Sequence, residues 1–236
     1  MLVLVVDDDE DYAQMIAHTL ERDSHEVMIT HTARAAVKAI AQKPPDLAVL
    51  DIMLPDHSGT ELCQLLRSQR PDTPILFLSS MDRSSDIIDA LNSGGDDYVT
   101  KPFHPGELVA RVRALSRRSP VAMRKPSSAR KLDSKLSHGQ IVVDVANQSA
   151  SIGGIGLNCT RIEVELLGLL TQYPGQVLSH AFLSEQIWGY QNVDDATLLK
   201  GHVSSLRKKI RSAGADEDMI RTVHGVGYSL EPQKAA

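Results

Sequence analysis

Asp7, Asp8 and Asp51 each follow a short apolar run, LVLVV before the first two and LAVL before the third. In an open parallel α/β sheet, ligands bind beyond the carboxyl ends of the strands, at the point where strand order reverses. If those two runs are neighbouring strands, three carboxylates from separate parts of the chain converge there. Uncompensated, they raise one another's pKa. A hard divalent cation removes the conflict, and carboxylate oxygens are the ligands Mg²⁺ prefers. Two further strand ends add to the set. One closes on Ser79-Ser80, a hydroxyl, and another leads into Lys101, just before Pro102. Carboxylates, metal, hydroxyl and ammonium together suit a phosphoryl group. One Asp attacks phosphorus, metal and lysine neutralise its oxygens, and the hydroxyl donates to one of them. Asp9, Glu10 and Asp11 read differently, as the start of the first helix.

The elements that would position these groups are legible from hydrophobic period. Strand-like runs lie at Leu2–Val6, Glu26–Thr30, Leu47–Leu50, Ile75–Leu78 and Tyr98–Thr100, with amphipathic stretches between them. Short apolar runs alternating with helices imply a parallel sheet covered on both faces. Five such units over residues 1–118 predict a flavodoxin-like doubly wound domain with a five-stranded sheet. Residues 119–135, SPVAMRKPSSARKLDSK, lose all apolar period and read as a solvated linker. From 136 to 232 the pattern changes to short antiparallel strands with glycine turns and three helices, at Arg161–Tyr173, His180–Trp188 and Ala196–Ser212. A hairpin around Gly225-Val226-Gly227 closes the chain. Thr160 with Glu163 predicts a capping box and Ser179 an N-cap. Strands, three helices and a terminal hairpin suggest an α+β winged helix-turn-helix domain.

Composition narrows the classes. At 42% hydrophobic and 23% charged the chain is ordinary for a globular protein, and no apolar run approaches a membrane span. With no basic leading region or cleavage signal, a cytoplasmic location is expected. Cys63 and Cys159 fit no metal or redox spacing and read as ordinary thiols. The net charge of −5 is unevenly spread. Residues 1–118 carry 12 basic and 19 acidic side chains, and 119–135 carry 5 and 1. Lys200, Arg207, Lys208, Lys209 and Arg211 lie close together with no acid between them, a local patch that suits a polyanion.

The motifs VVDDDE, LDIMLPDHSG, LSS, GGDDYVTKPF and RTVHGVGY, in this order, make the chain resemble a two-component response regulator of the OmpR/PhoB type over all but the linker. The resemblance implies that Asp51 accepts phosphate from a sensor histidine kinase. It also implies that Asp8, Asp51 and the Met53 backbone carbonyl hold Mg²⁺, with Asp7 assisting through water. By the same resemblance Ser79 and Tyr98 form a switch pair, Lys101 contacts the phosphoryl group, and the Lys101–Pro102 bond is cis. Met53 and Met81 would flank the phosphoryl group. Neither can orient an attacking water, so a long-lived phosphoryl state is expected. The family dimerises on phosphorylation through the fourth helix, fifth strand and fifth helix. Asp96, Asp97, Glu107, Arg111 and Arg118 match its charged face, while Ile87 and Asn92 replace a usual base and a usual acid.

In the last helix Leu199, Val203, Leu206 and Ile210 recur at steps of four, three and four, a core-facing stripe. The opposite face carries Thr197, Gly201, Ser204, Ser205 and Lys208. Lys200, Arg207 and Arg211 fill one shoulder, His202 and Lys209 the other. Such a helix would dock by its apolar side and enter the major groove of promoter DNA by its polar side. The resemblance makes RTVHGVGY the wing, with His224 near the minor groove. A polymerase contact by the loop Gly189–Asp195 gains no support from spacing. Trp188 reads as core. An aspartyl-phosphate phosphohydrolase, the alternative from another class, needs Asp-x-Asp followed by Thr or Val, which DDDEDY lacks. Phosphorylation-independent DNA binding leaves the set Asp7, Asp8, Asp51, Ser79 and Lys101 without a purpose.

Overall fold

A computed structural model describes residues 1–117, 135–189 and 195–231. The chain forms two compact units. In the first, five strands and five helices alternate: β1 (Leu2–Val6), α1 (Glu10–Arg22), β2 (Glu26–Thr30), α2 (Ala33–Gln42), β3 (Leu47–Leu50), α3 (Gly59–Gln69), β4 (Ile75–Ser79), α4 (Ser84–Asn92), β5 (Asp97–Thr100) and α5 (Pro105–Ser116). All strand pairs are parallel, in the order β2-β1-β3-β4-β5. That order reverses direction between β1 and β3. Both faces of the central strands are covered, which is why LVLVV and LAVL are continuous apolar runs and not alternating ones. Val3, Val5, Val49 and Leu78 pack with Ala13, Ile16 and Leu20 of α1 and Leu108, Val112 and Leu115 of α5. On the other pleat, Leu4, Ala48, Leu50 and Phe77 are equally buried, with α2 packed on β1 and on α3.

Local chemistry fixes the helix starts. Asp9 caps α1, accepting from the backbone N–H groups of Asp11 and Tyr12. Ser58 and Glu61 form a capping box on α3. Each cap satisfies donors that the helix itself cannot, and a single cap contributes about 1 kcal/mol.

The second unit opens on an antiparallel sheet of β6 (Lys135–His138), β7 (Ile141–Asp144), β8 (Ser149–Ile152) and β9 (Ile155–Leu157). The helices α6 (Arg161–Gln172), α7 (His180–Trp188) and α8 (Asp195–Ser212) follow. A second sheet, ordered β10 (Leu178–Ser179), β12 (Gly227–Leu230), β11 (Ile220–Val223), completes it. Both expected caps are present: Thr160 and Glu163 close a capping box on α6, and Ser179 accepts from the Phe182 N–H. Trp188 is buried at the end of α7. Gly227 is required by packing, because a Cβ there would sit 1.9 Å from the Leu178 carbonyl oxygen. The segment expected as a linker lies outside the described residues save Lys135, which opens β6. Among the described residues no helix is long and apolar enough to cross a membrane.

Candidate functional site

The end of β1 and the end of β3 are adjacent, and the Asp51 N–H donates to the Val6 carbonyl at 2.8 Å. Asp7 and Asp51 are thereby buried side by side, with Asp8 exposed beside them. One carboxylate oxygen from each of Asp7, Asp8 and Asp51 lies within 4.8 Å of the others. Lys101 reaches across from the end of β5. Its Nζ donates to Asp7 Oδ2 at 2.6 Å and to Asp51 Oδ2 at 2.5 Å. The Met53 N–H donates to the second Asp51 oxygen at 2.9 Å. The Lys101–Pro102 peptide is cis.

The electrostatics follow from this crowding. Burial pushes the Asp7 carboxyl above the usual aspartate range and the charge on Asp51 adds to it, against the opposing pull of Lys101. Burial likewise disfavours the Lys101 ammonium, but its bonds to Asp51 and Asp7 outweigh this and hold it above the usual lysine range. One ammonium therefore does not fully neutralise the acids around it. Three hard oxygen donors with a residual charge deficit fit a divalent cation.

Ser79 is fully buried at the end of β4 and its Oγ makes no well-formed hydrogen bond. Tyr98 packs inward, its ring 6.5 Å from Phe77 and its O–H donating to the Met81 carbonyl at 2.6 Å. Burial pushes this phenol up to about 12, with the nearby Ser79 hydroxyl opposing. Met53 is 62% exposed at the rim, and Met81 is half-buried. Two neighbours escaped the sequence reading. The Tyr12 ring lies under the Lys101 ammonium, 4.9 Å from Nζ to its centroid, and the His31 Nδ1 is 2.9 Å from the Asp7 carbonyl oxygen. Neither stands in a motif. Only the neighbourhood of β1, β2 and α1 in space brings them in.

The charged face expected for dimerisation is largely spent within the receiver-like unit. Arg111 is 2% exposed and pairs with Asp97, itself fully buried, at 2.8 Å, and with Glu107 at 2.9 Å. Asp96 is buried too, accepting from Arg67 and from the Ile75 N–H. A charge kept from water must be paired, and each of these two buried aspartates is met by an arginine. Ile87 is also buried, and Arg113 turns to Asp23, holding that carboxyl below its usual range. Arg118 lies outside the described residues.

In the second unit, α8 and the β11–β12 hairpin enclose an open cleft of about 960 Å³. Lys200, Ser204, Arg207, Lys208, Arg211 and His224 all line it, as expected of a DNA-facing surface. Arg221, on the wing strand, joins them. It opens RTVHGVGY, and a basic side chain at the head of that motif was the signal available for it. Three expectations on α8 need correction. His202 is 1% exposed, its ring 5.8 Å from Trp188. Ser205 is 5% exposed. Both turn into the unit because α8 is covered by α6 and α7 over more than the narrow Leu/Val/Ile stripe. Thr197 is half-buried and does not line the cleft. Lys209 is engaged by buried Glu163. Arg207 ties the helix to the hairpin, donating to the Ile220 carbonyl and, at 2.9 Å, to Thr222 Oγ1. Gly225, with φ of 74°, supplies the wing's left-handed turn and leaves His224 exposed. Most of the loop Gly189–Asp195 lies outside the described residues.

Comparison with known proteins matches each of the two units to a family. Residues 3–113 match the response regulator receiver domain, and residues 154–230 match the family described as transcriptional regulatory protein, C terminal. The chain is 38% identical to the alkaline phosphatase synthesis transcriptional regulatory protein PhoP of Bacillus subtilis, over 98% of this chain and 97% of that one. It is 36% identical to the DNA-binding response regulator MtrA of Mycolicibacterium smegmatis, over 98% and 96%. A solved RitR mutant, C128S, shares the fold with a TM-score of 0.72 at 23% identity, covering 98% of this chain and 99% of that one. With both family models matched and relatives aligned nearly end to end, the chain belongs to the OmpR/PhoB family of DNA-binding response regulators of two-component systems.

Proposed function

We propose that residues 1–118 form a receiver whose Asp51 takes a phosphoryl group from a sensor histidine kinase. Residues 119–135 would link it to a winged-helix unit, 136–232, that binds promoter DNA. The observation that carries the reading is the bridge from Lys101 to Asp7 and Asp51 beside a third acid. Mg²⁺ held by Asp7, Asp8, Asp51 and the Met53 carbonyl would neutralise phosphoryl oxygens. An Asp51 oxygen attacks phosphorus as the bond from phosphorus to the kinase histidine nitrogen breaks. Lys101 then pairs with a phosphoryl oxygen, and Ser79, buried with a hydroxyl to spare, donates to another. Tyr98, adjoining Ser79, would transmit the change to α4 and β5. The partner of the phosphorylated state would be a second copy of this chain. It would dock on what α4, β5 and α5 leave exposed, where the Glu107 side chain reaches solvent at 36%. A family that works on promoters supports a cytoplasmic location and a meeting with RNA polymerase.

Met53 and Met81 carry no group able to steer water, which favours a long phosphoryl lifetime. Replacing both with Asn and Glu is expected to shorten the half-life of the adduct severalfold, read by intact mass against time; equal decay would remove the methionines from the mechanism.

The DNA reading is tested by affinity for a duplex of the protein's own promoter at several salt concentrations. Lys208 lines the cleft and is exposed, and neutralising one phosphate contact lowers the slope of log K against log salt by about 0.9. Lys208→Ala should therefore weaken binding and flatten that slope by about one. His202→Ala, altering a buried residue, should leave the slope unchanged. A slope identical in wild type and Lys208→Ala would place the DNA elsewhere.

A further inference from the structure

The first N–H groups of a helix have no acceptor within it and must be satisfied from outside. In α2 this is divided between two side chains. Thr32, the N-cap, accepts from the Ala35 N–H at 3.1 Å. The Ala33 and Arg34 N–H groups turn to Asp56, more than twenty residues on, each donating to a different carboxylate oxygen at 2.9 Å. The His57 N–H adds a third bond at 3.0 Å. These donors, that of Arg34 foremost, hold the Asp56 carboxyl below the usual aspartate range.

Asp56 stands in the loop that leads from Asp51 to α3. That loop is closed at its base, where the Gly59 N–H donates to the Ile52 carbonyl at 2.9 Å. It is closed tightly, since a Cβ on Gly59 would come within 1.9 Å of the Asp51 carbonyl oxygen. Between base and tip run Met53, Leu54 and Pro55. Met53 has its side chain in solvent and only its N–H engaged, on Asp51 Oδ1. Asp56 is the point at which this stretch is fastened to a packed element, because Ala33, Ala36 and Ile40 bury α2 against the unit.

We propose that Asp56 is a positioning residue for the phosphoacceptor site: by clamping the loop tip to the N-terminus of α2 it holds the Met53 peptide in register with Asp51, so that the Met53 carbonyl is in place for the cation. This rests on the reading of Asp51 as phosphoacceptor and of Met53 as a ligand. Outer-shell partners of metal ligands act in this way, and their loss weakens metal binding by about 10- to 100-fold.

The control lies in the same helix. Thr32→Ala removes a capping bond from α2 without touching the loop, whereas Asp56→Ala removes the tether. In the full-length protein three quantities are read for each: Mg²⁺ affinity by calorimetry, the rate of Asp51 phosphorylation by acetyl phosphate from intact mass, and the thermal midpoint. Asp56→Ala is expected to weaken Mg²⁺ binding about tenfold, the low end for outer-shell partners, and to slow phosphorylation at low Mg²⁺ in proportion. Thr32→Ala is expected to lower the midpoint comparably with Mg²⁺ affinity intact. Asp56→Asn, keeping one acceptor oxygen, should fall between wild type and Asp56→Ala, and it serves if the alanine variant does not fold. Equal Mg²⁺ affinities in all four proteins, or equal losses in Thr32→Ala and Asp56→Ala, would overturn the proposal while leaving Asp51 as acceptor. A wild type that takes no phosphoryl group would overturn both.

Discussion

Asp51→Asn is expected to abolish phosphoryl acceptance: incubated with Mg²⁺ and acetyl phosphate, wild type should gain one phosphoryl adduct by intact mass and the variant none. The reason is nucleophilicity. A carboxylate oxygen attacks phosphorus and an amide does not. The fold survives the change, because Lys101 keeps Asp7 as partner and the Met53 N–H keeps an acceptor oxygen on the Asn side chain. Removing one of three crowded acids also relieves the repulsion that raises Asp7. The metal-free variant should therefore melt no lower than wild type, which separates a chemical loss from an unfolded sample. An adduct on the variant would move the acceptor to another carboxylate. No adduct on either protein would weigh towards strict dependence on the kinase, or towards DNA binding that needs no phosphorylation.

The chemistry of this site was legible because it is built from strand ends. The runs before Asp7 and Asp51 are apolar on both pleats, so their boundaries follow from period, and β1, β2 and β3 run over the expected residues. What period does not carry is how far a helix sinks into its unit. On α8 the Leu199–Val203–Leu206–Ile210 stripe was plain, yet His202 and Ser205 lie beside it and are buried as well. A polar residue next to an apolar stripe belongs to the surface or the core according to what packs over it, and only Trp188 and the neighbouring helices decide that. Asp56 is illegible for a related reason. Its acceptors' donors are twenty-odd residues upstream, and nothing in PDHSG points to α2.

The charges on β5 and α5 show the same limit most sharply, and they carry the second large effect. Resemblance puts Asp96, Asp97 and Arg111 on a face that meets another copy, where reversing Arg111 would weaken a dimer. In the structure Arg111 spans Asp97 and Glu107 of its own unit, with only 3% of its side chain exposed. Breaking a buried pair by removing one partner costs about 3–5 kcal/mol, because the remaining charge is left in a poorly solvated place. Arg111→Glu goes further, setting a third acid against Asp97 and Glu107. The expected result is a receiver whose thermal midpoint falls by roughly 10 °C or more, given a few degrees per kcal/mol for a unit of this size. Loss of dimer in that variant would then report unfolding. Glu107→Gln is the cleaner probe of association, since 36% of the Glu107 side chain is exposed and a pair at the rim contributes about 1 kcal/mol or less. Sedimentation of the phosphorylated protein should show a weakened dimer for Glu107→Gln, with a midpoint lowered by a few degrees at most. Should Arg111→Glu instead melt with wild type, the Asp97–Arg111 pair would be dispensable to the fold and both residues would return to the surface that a second copy can reach.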